Sequence, residues 1–399
     1  MNFPSPLPPN QLEKDMHRSF ALVALAASGL FASATVASVE TITVCESGCN
    51  YTSINAAIDA ASNGDIIQLS AETYTEGVVI NTDGKAITLL GTTDKLGTPT
   101  SILDGVGQHQ VLSCITNESS TTVLRNLYIT RGSIKSGGGG LFVQNASPSV
   151  VNCHFVLNSS FVGGGLTTDG SSMSLDGCRF ENNHSGVGAG AYFQNSSVTI
   201  HECTFSGNTA AIGGGGACCR RIGESDNPIS HTFTDCTFIG NTAGDSEEMN
   251  TSSGAGLLVD SCSAGLIDCR FTGNLSYGSA PALSIGTSES EGETGSAVIY
   301  DCSFCANTSI PSNPVQLFGD YQALGAGNCI AASCDDCPSP VEGDLDGDGV
   351  VDAADFIHLR ELIGVEALGC VAADINGDGE VNGADLSYIL GYWGVCSAP

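Results

Sequence analysis

Between residues 147 and 307 one arrangement of polar and apolar positions recurs six times. Each occurrence opens on a serine (Ser147, Ser172, Ser197, Ser230, Ser263, Ser296). An apolar residue stands three places on (Val150, Leu175, Ile200, Phe233, Leu266, Ile299), and a cysteine three beyond that (Cys153, Cys178, Cys203, Cys236, Cys269, Cys302). Each unit then closes as C-x-F-x-x-N, with Phe155, Phe180, Phe205, Phe238, Phe271 and Phe304 followed by Asn158, Asn183, Asn208, Asn241, Asn274 and Asn307. The cysteines are spaced by 25, then by 33. Short β-prone pieces, two-residue alternation and frequent turns predict strands rather than helices. One unit cannot bury its own apolar face, so the units must stack. In-register stacking sets equivalent side chains about 4.8 Å apart, which predicts internal ladders of cysteine, phenylalanine and aliphatic residues. The asparagines are expected at a turn, because asparagine tolerates the left-handed region.

Upstream, Thr52 to Ser62 reads as an amphipathic helix with Ile54, Ala57, Ile58 and Ala61 on one face, suited to plugging an open end. Strand-like pieces follow at Ile66–Leu69, Val78–Ile80, Ile87–Leu90 and Val123–Ile129. Dividing the span by the period gives about ten coils, with Pro311 to Pro340 expected to cap the far end and act as linker. The longer intervals hide insertions near Arg220–Pro228, Asp245–Ser253 and Thr287–Gly295. The repeat resembles a right-handed parallel β-helix of the pectate-lyase-like architecture, and within it the F-x-x-N and Gly-Gly repeats of polymorphic outer-membrane proteins. Handedness is what the resemblance implies. The expected fold is an all-β parallel solenoid with an N-terminal capping helix, followed by a small α-helical module.

That module announces itself through two acidic stretches, DLDGDGVVDAAD from Asp344 and DINGDGEVNGAD from Asp374. Positions 1, 3, 5, 9 and 12 carry Asp344, Asp346, Asp348, Asp352 and Asp355, then Asp374, Asn376, Asp378, Asn382 and Asp385. Position 7, Val350 or Glu380, can add a backbone carbonyl, and Gly349 or Gly379 permits the sharp turn. A hard cation needing six or seven oxygens demands this arrangement, so two Ca2+ sites are expected. Each loop leads into one apolar helix, Phe356 to Ile363 and Leu386 to Trp393, while Pro338 and Pro340 rule out an entering helix before the first. The duplicated loop-plus-helix unit resembles a type I dockerin over about residues 341 to 399. The resemblance implies docking onto a cohesin-like module. Positions 10 and 11, which carry polar recognition residues in well-known dockerins, are here Ala353, Ala354, Gly383 and Ala384.

A formal charge of −31 with only 12 Lys+Arg argues against nucleic-acid and anionic-membrane partners. Lys14, His17 and Arg18 precede an apolar run from Phe20 to Phe31 and small residues to Ala37, the pattern of a secretory signal cleaved after Ala37 or Ala34. Residues 1 to 15 do not fit an n-region, which makes Met16 the expected start. The run is too short for a membrane span, so a secreted, extracellular or surface-attached product without a transmembrane anchor is expected. The domain plan is then a signal over 1–37, the solenoid over 42–335, a linker over 336–342 and the calcium module over 343–399. Eighteen cysteines fit an oxidising compartment. Stacked ladder thiols present parallel Cβ vectors, poor for bridging, so disulfides are expected at Cys45–Cys49, at Cys370–Cys396 and among Cys305, Cys329, Cys334 and Cys337.

Candidate chemistry lies on the outward faces. Glu202, Asp235, Asp268 and Asp301 immediately precede ladder cysteines and should form an acidic column. Carboxylates so close raise one another's pKa or bind a cation, and two could act as the acid and base of a glycosidase. Read otherwise, they are solvated residues at a bend. Arg220 and Arg221 follow Cys218 and Cys219 at the base of the first insertion. His154 and Arg179 are expected outward on adjacent coils, and His201 and His231 without companions. Thr73 to Glu76 resembles the opening G-x-Y-x-E of pectin methylesterases, with Glu72 replacing the glycine. The family's aspartate motifs are missing. Two functions remain: an adhesion or glycan-contacting rod, and a polysaccharide lyase or glycoside hydrolase.

Overall fold

A computed structural model describes residues 38–223, 228–245, 252–286, 295–310, 315–324 and 327–334, with Gly383, Leu386, Ser387 and Leu390 beyond them. Among these residues the strands form four parallel sheets that coil around a common core. An eleven-stranded sheet runs from Thr41–Val44 to Tyr321–Leu324, and a ten-stranded sheet from Thr73–Tyr74 to Cys329–Ala331. A nine-stranded sheet extends from Ile80–Asn81 to Leu317–Phe318, and a five-stranded one from His184–Val187 to Thr308–Ser309. Strand neighbours are one coil apart. Val150 pairs with Leu175, Leu175 with Ile200, Ile200 with Phe233, Phe233 with Leu266 and Leu266 with Ile299. The register therefore survives the change of spacing. The central parts of the expected insertions, 224–227, 246–251 and 287–294, lie outside the described residues.

The interior is built from the predicted ladders. Phe155, Phe180, Phe205, Phe238, Phe271 and Phe304 stack face over face, with centroids 4.5–4.8 Å apart. Cys153, Cys178, Cys203, Cys236, Cys269 and Cys302 are buried and unbridged, as parallel Cβ vectors require. The asparagines form a ladder too, but not through left-handed backbone. Asn208 is wholly buried. Its Oδ1 accepts from the backbone N and the Nδ2 of Asn183, both at 3.0 Å. Its Nδ2 donates to the Phe180 carbonyl at 2.8 Å and to Asn241 Oδ1 at 2.9 Å. The left-handed residues stand one place earlier: Leu157, Asn182, Gly207, Gly240, Gly273 and Ala306. The asparagine side chain thus satisfies the carbonyls and amides that this tight turn leaves inside.

Both ends are resolved differently. At the start, the helix Ile54–Ala60 buries Ile54, Ala57 and Ile58. Ser53 caps it, and Glu76 accepts from Ile54 N at 2.6 Å and from Ser53 Oγ at 2.7 Å. At the far end, Tyr321–Leu324 and Cys329–Ala331 continue two sheets in register as a further coil. The piece expected as one strand over Val123–Ile129 is broken into Val123–Arg125 and Leu127–Thr130 by Asn126, whose φ is 58°. Disulfides join Cys45 to Cys49 and Cys305 to Cys334, and Cys329 is also bridged. Cys337, Cys370 and Cys396, like the expected signal at 1–37, lie outside the described residues. Near the C-terminus, Gly383, Leu386, Ser387 and Leu390 are helical, in keeping with the exiting helix read from the sequence. No described helix is long and apolar enough to cross a membrane.

Candidate functional site

The acidic column sits at a bend, and the backbone explains its composition. Each coil turns from the eleven-stranded to the ten-stranded sheet through one left-handed residue: Asn152, Gly177, Glu202, Asp235, Asp268 and Asp301. Short polar side chains and glycine tolerate that region, so the turn itself favours asparagine, aspartate or glycine, with Glu202 the one longer residue among these six. Selection by geometry does not remove the electrostatic consequence. Burial, with Asp235 and Asp301 on either side, pushes the Asp268 carboxyl up to about 6. Asp301 is also raised by burial, against the Gly327 amide that donates to it at 3.1 Å. The neighbouring Tyr300 phenol is pushed up by burial and by both aspartates.

The structure supplies a companion that His201 was not expected to have. Its Nδ1 lies 2.8 Å from Asp176 Oδ1 on the preceding coil. Its Nε2 is 3.7 Å from Asp235 Oδ2 and 3.9 Å from Glu202 Oε1. The signal was available in the period: His201 and Asp176 are 25 residues apart, and their strands pair them directly. The edge therefore carries an imidazole oriented by one carboxylate and presented to two others, beside an aspartate that holds its proton to higher pH. Such a divergence of environments is how acid and base roles become separated. Among the described residues no three histidine, cysteine or acidic side chains converge closely enough to hold a metal ion.

The arginines do not join this edge. Arg220 ends the strand Ala217–Arg220, with Nε 3.0 Å from Asp260 Oδ2 on the next coil, and Arg221 is buried. Arg220 ends a strand of the nine-stranded sheet, whereas Asp235 follows the strand Ser230–Thr234 of the eleven-stranded sheet. His154 pairs with Arg179 in register, as expected, but is buried rather than outward, and burial with Arg179 pulls its imidazole down to about 4. His231 is an interior residue, its ring 5.6 Å from Phe193. Thr73 to Glu76 is structural: Tyr74 Oη donates to the Val44 carbonyl, and Glu76 holds the capping helix.

The calcium candidates Asp344, Asp346, Asp348, Val350, Asp352, Asp355, Asp374, Asn376, Asp378, Glu380, Asn382 and Asp385 lie outside the described residues. Their donor set, all oxygen and largely anionic, fits a hard cation.

Comparison with known families places these two parts. Residues 112–254 match the model of the right handed beta helix region, and residues 342–392 that of the dockerin type I domain. No curated protein matches the sequence. Similar solved structures include a pectin methylesterase from Aspergillus niger, at 13% identity and a TM-score of 0.41, over 74% of this chain and 86% of that one. The pectate lyase Pel9A has 13% identity and a TM-score of 0.34, over 77% and 84%. An alginate lyase from Paenibacillus sp. has 12% identity and a TM-score of 0.31, over 74% and 94%. Type I dockerin domains in general bind calcium and cohesin modules. The chain is a right-handed parallel β-helix followed by a type I dockerin-like module.

Proposed function

We propose that this protein is secreted and held outside the cell through its dockerin module, and that the solenoid is an adhesion or glycan-contacting rod. The observation that carries this reading is the join between a dockerin match at 342–392 and a continuous in-register stack. The interior of the stack is filled by ladders, leaving only outward faces to meet a ligand. In the module, the two loops at 344–355 and 374–385 hold one Ca2+ each, and the ions organise the loops from which the short helices leave. The loaded module then engages a cohesin-like partner.

A second reading, a polysaccharide lyase or glycoside hydrolase, draws on one specific observation. His201 is oriented by Asp176 between Glu202 and Asp235, two coils before the Asp268 carboxyl that is raised to about 6. In it the imidazole or Asp235 serves as base and Asp268 as acid. One experiment separates the two. The calcium-loaded full chain is mixed with a polysaccharide panel, scoring bound protein, new reducing ends and unsaturated product absorbing in the ultraviolet. Retention without turnover supports the rod. Turnover abolished by Asp235→Ala with Asp268→Ala supports the enzyme. Turnover that survives their loss, and that of Arg220 and Arg221, sinks the chosen surface.

A further inference from the structure

The two ends of the solenoid are unlike. At the N-terminal end the helix Ile54–Ala60 covers the core. At the other end the strands Leu317–Phe318, Tyr321–Leu324 and Cys329–Ala331 each pair with one neighbour only among the described residues. The columns that fill the core run out there into water. Ala297, Ile299 and Phe304 are buried, but their register partners Tyr321, Ala323 and Ile330 are exposed, Ile330 by 48%. An apolar section through a core, rimmed by unpaired backbone groups, is what the terminal unit of a stack must have covered.

Size decides what can cover it. A coil of 25 residues, at about 3.3 Å each, has a perimeter of about 80 Å and encloses at most about 500 Å². A stable association between separate molecules needs about 800 Å² from each partner. A second copy, carrying the same charge of −31, is therefore held too weakly. An occupant on the same chain escapes that limit, because a short link raises its effective concentration to about millimolar.

The chain supplies such an occupant. Cys334, where it leaves the last described coil, is bonded to Cys305 one coil inward. Cys329, in the edge strand itself, is bridged too. The other described cysteines are free thiols or paired with one another, so its partner is one of Cys337, Cys370 and Cys396. The chain beyond Cys334 is thus fastened to the rim of the open end. Residues 335–342 span at most about 29 Å before the calcium module starts. Within that module Leu386 and Leu390 stand one helical turn apart, and Leu390 is 58% exposed.

We propose that the C-terminal module folds back and covers the open end of the solenoid, with Leu386 and Leu390 set against Tyr321, Ala323 and Ile330. Calcium favours the arrangement, because it folds the module and offsets part of an acidic charge that the solenoid shares. A stack couples only neighbouring coils, so the gain is confined to the last coil and leaves the main solenoid melt where it is.

The test is hydrogen exchange of the full chain under non-reducing conditions, with calcium and after chelation. With calcium, the amides of Tyr321–Leu324 and Cys329–Ala331 should exchange about tenfold more slowly. Leu390→Asp should remove that protection while the chain still takes up calcium in calorimetry. Ile330→Asp, a change confined to the solenoid, should speed exchange at residues 386–390, and light scattering should find a monomer throughout. Exchange indifferent to calcium, or protection that survives Leu390→Asp, overturns the proposal. Protection that grows with protein concentration, together with a dimer, assigns the end to a second copy and overturns it as well. Should calorimetry find no calcium uptake, the two-loop reading fails separately and the two variants decide the proposal.

Discussion

Asn208→Ala tests the ladder that closes every coil. The side chain accepts two hydrogen bonds from Asn183 and donates one each to Phe180 and Asn241, all in a wholly buried position. Alanine removes all four. At a net value of about 1 kcal/mol per bond the loss is about 4 kcal/mol, and the Asn183 groups left without an acceptor keep it near that figure. Solenoids need not unfold in two states, so a local probe is better than a global midpoint. The backbone N–H of Asn183 reports directly, because its acceptor is the deleted oxygen. Native-state hydrogen exchange at that amide should accelerate about a thousandfold, each 1.4 kcal/mol being tenfold. Amides several coils away should change little. An acceleration below tenfold would refute the reasoning, since it would mean that water restores the bonds in the vacated space.

His231→Leu should stabilise the protein by about 1–2 kcal/mol at pH 7, because both ring nitrogens are buried without partners. Burial pulls its folded pKa down to about 3, so stability is complete above about 6.5 and lost as pH falls toward 3; the variant should flatten that acid limb in urea titrations. Asp268→Asn acts in the opposite sense: with its folded pKa raised to about 6, the native state is penalised as pH rises from about 4 through 6, so the substitution should stabilise at pH 7 and be neutral below 4 in thermal melts. Leu157→Gly should stabilise by about 1 kcal/mol in denaturant unfolding, since Leu157 is an exposed residue at φ 57°. Chelating calcium should unfold residues 341–399 and leave the solenoid melt unchanged; a calcium-indifferent profile for that segment would contradict the two-site reading.

The coil architecture was legible because stacking in register forces chemical identity at fixed positions. Phe155 to Phe304 and Asn158 to Asn307 repeat as they do because each side chain packs on its own copy. What the repeat hid was the backbone. The repeat points to the asparagine as the left-handed residue, yet Leu157 and Ala306 occupy that turn in two coils, and only the side-chain bonds explain the invariant asparagine. The acidic column lies at a bend whose left-handed φ already favours aspartate. Within its own strand His201 has no companion. Its partner Asp176 is 25 residues distant and adjacent only after coiling. Simple alternation sends His154 outward, yet it is buried with its ring beside Tyr128, a neighbour one coil away.

The bridge between Cys305 and Cys334 has a mechanical meaning for a tethered molecule. Hydrogen bonds between coils run along the rod, so tension entering from the C-terminal side would open them one row at a time, like a strip being peeled. Cys334 is where the chain leaves the last described coil, and Cys305 ends the strand Ser303–Cys305 one coil inward. A pull reaching Cys334 crosses the sulfurs directly to Cys305, and Cys329 within the terminal coil is bridged as well. The terminal coil is therefore stapled to the one beneath it, whose rings are already stacked. Reduction would convert a stapled end into a peeling front.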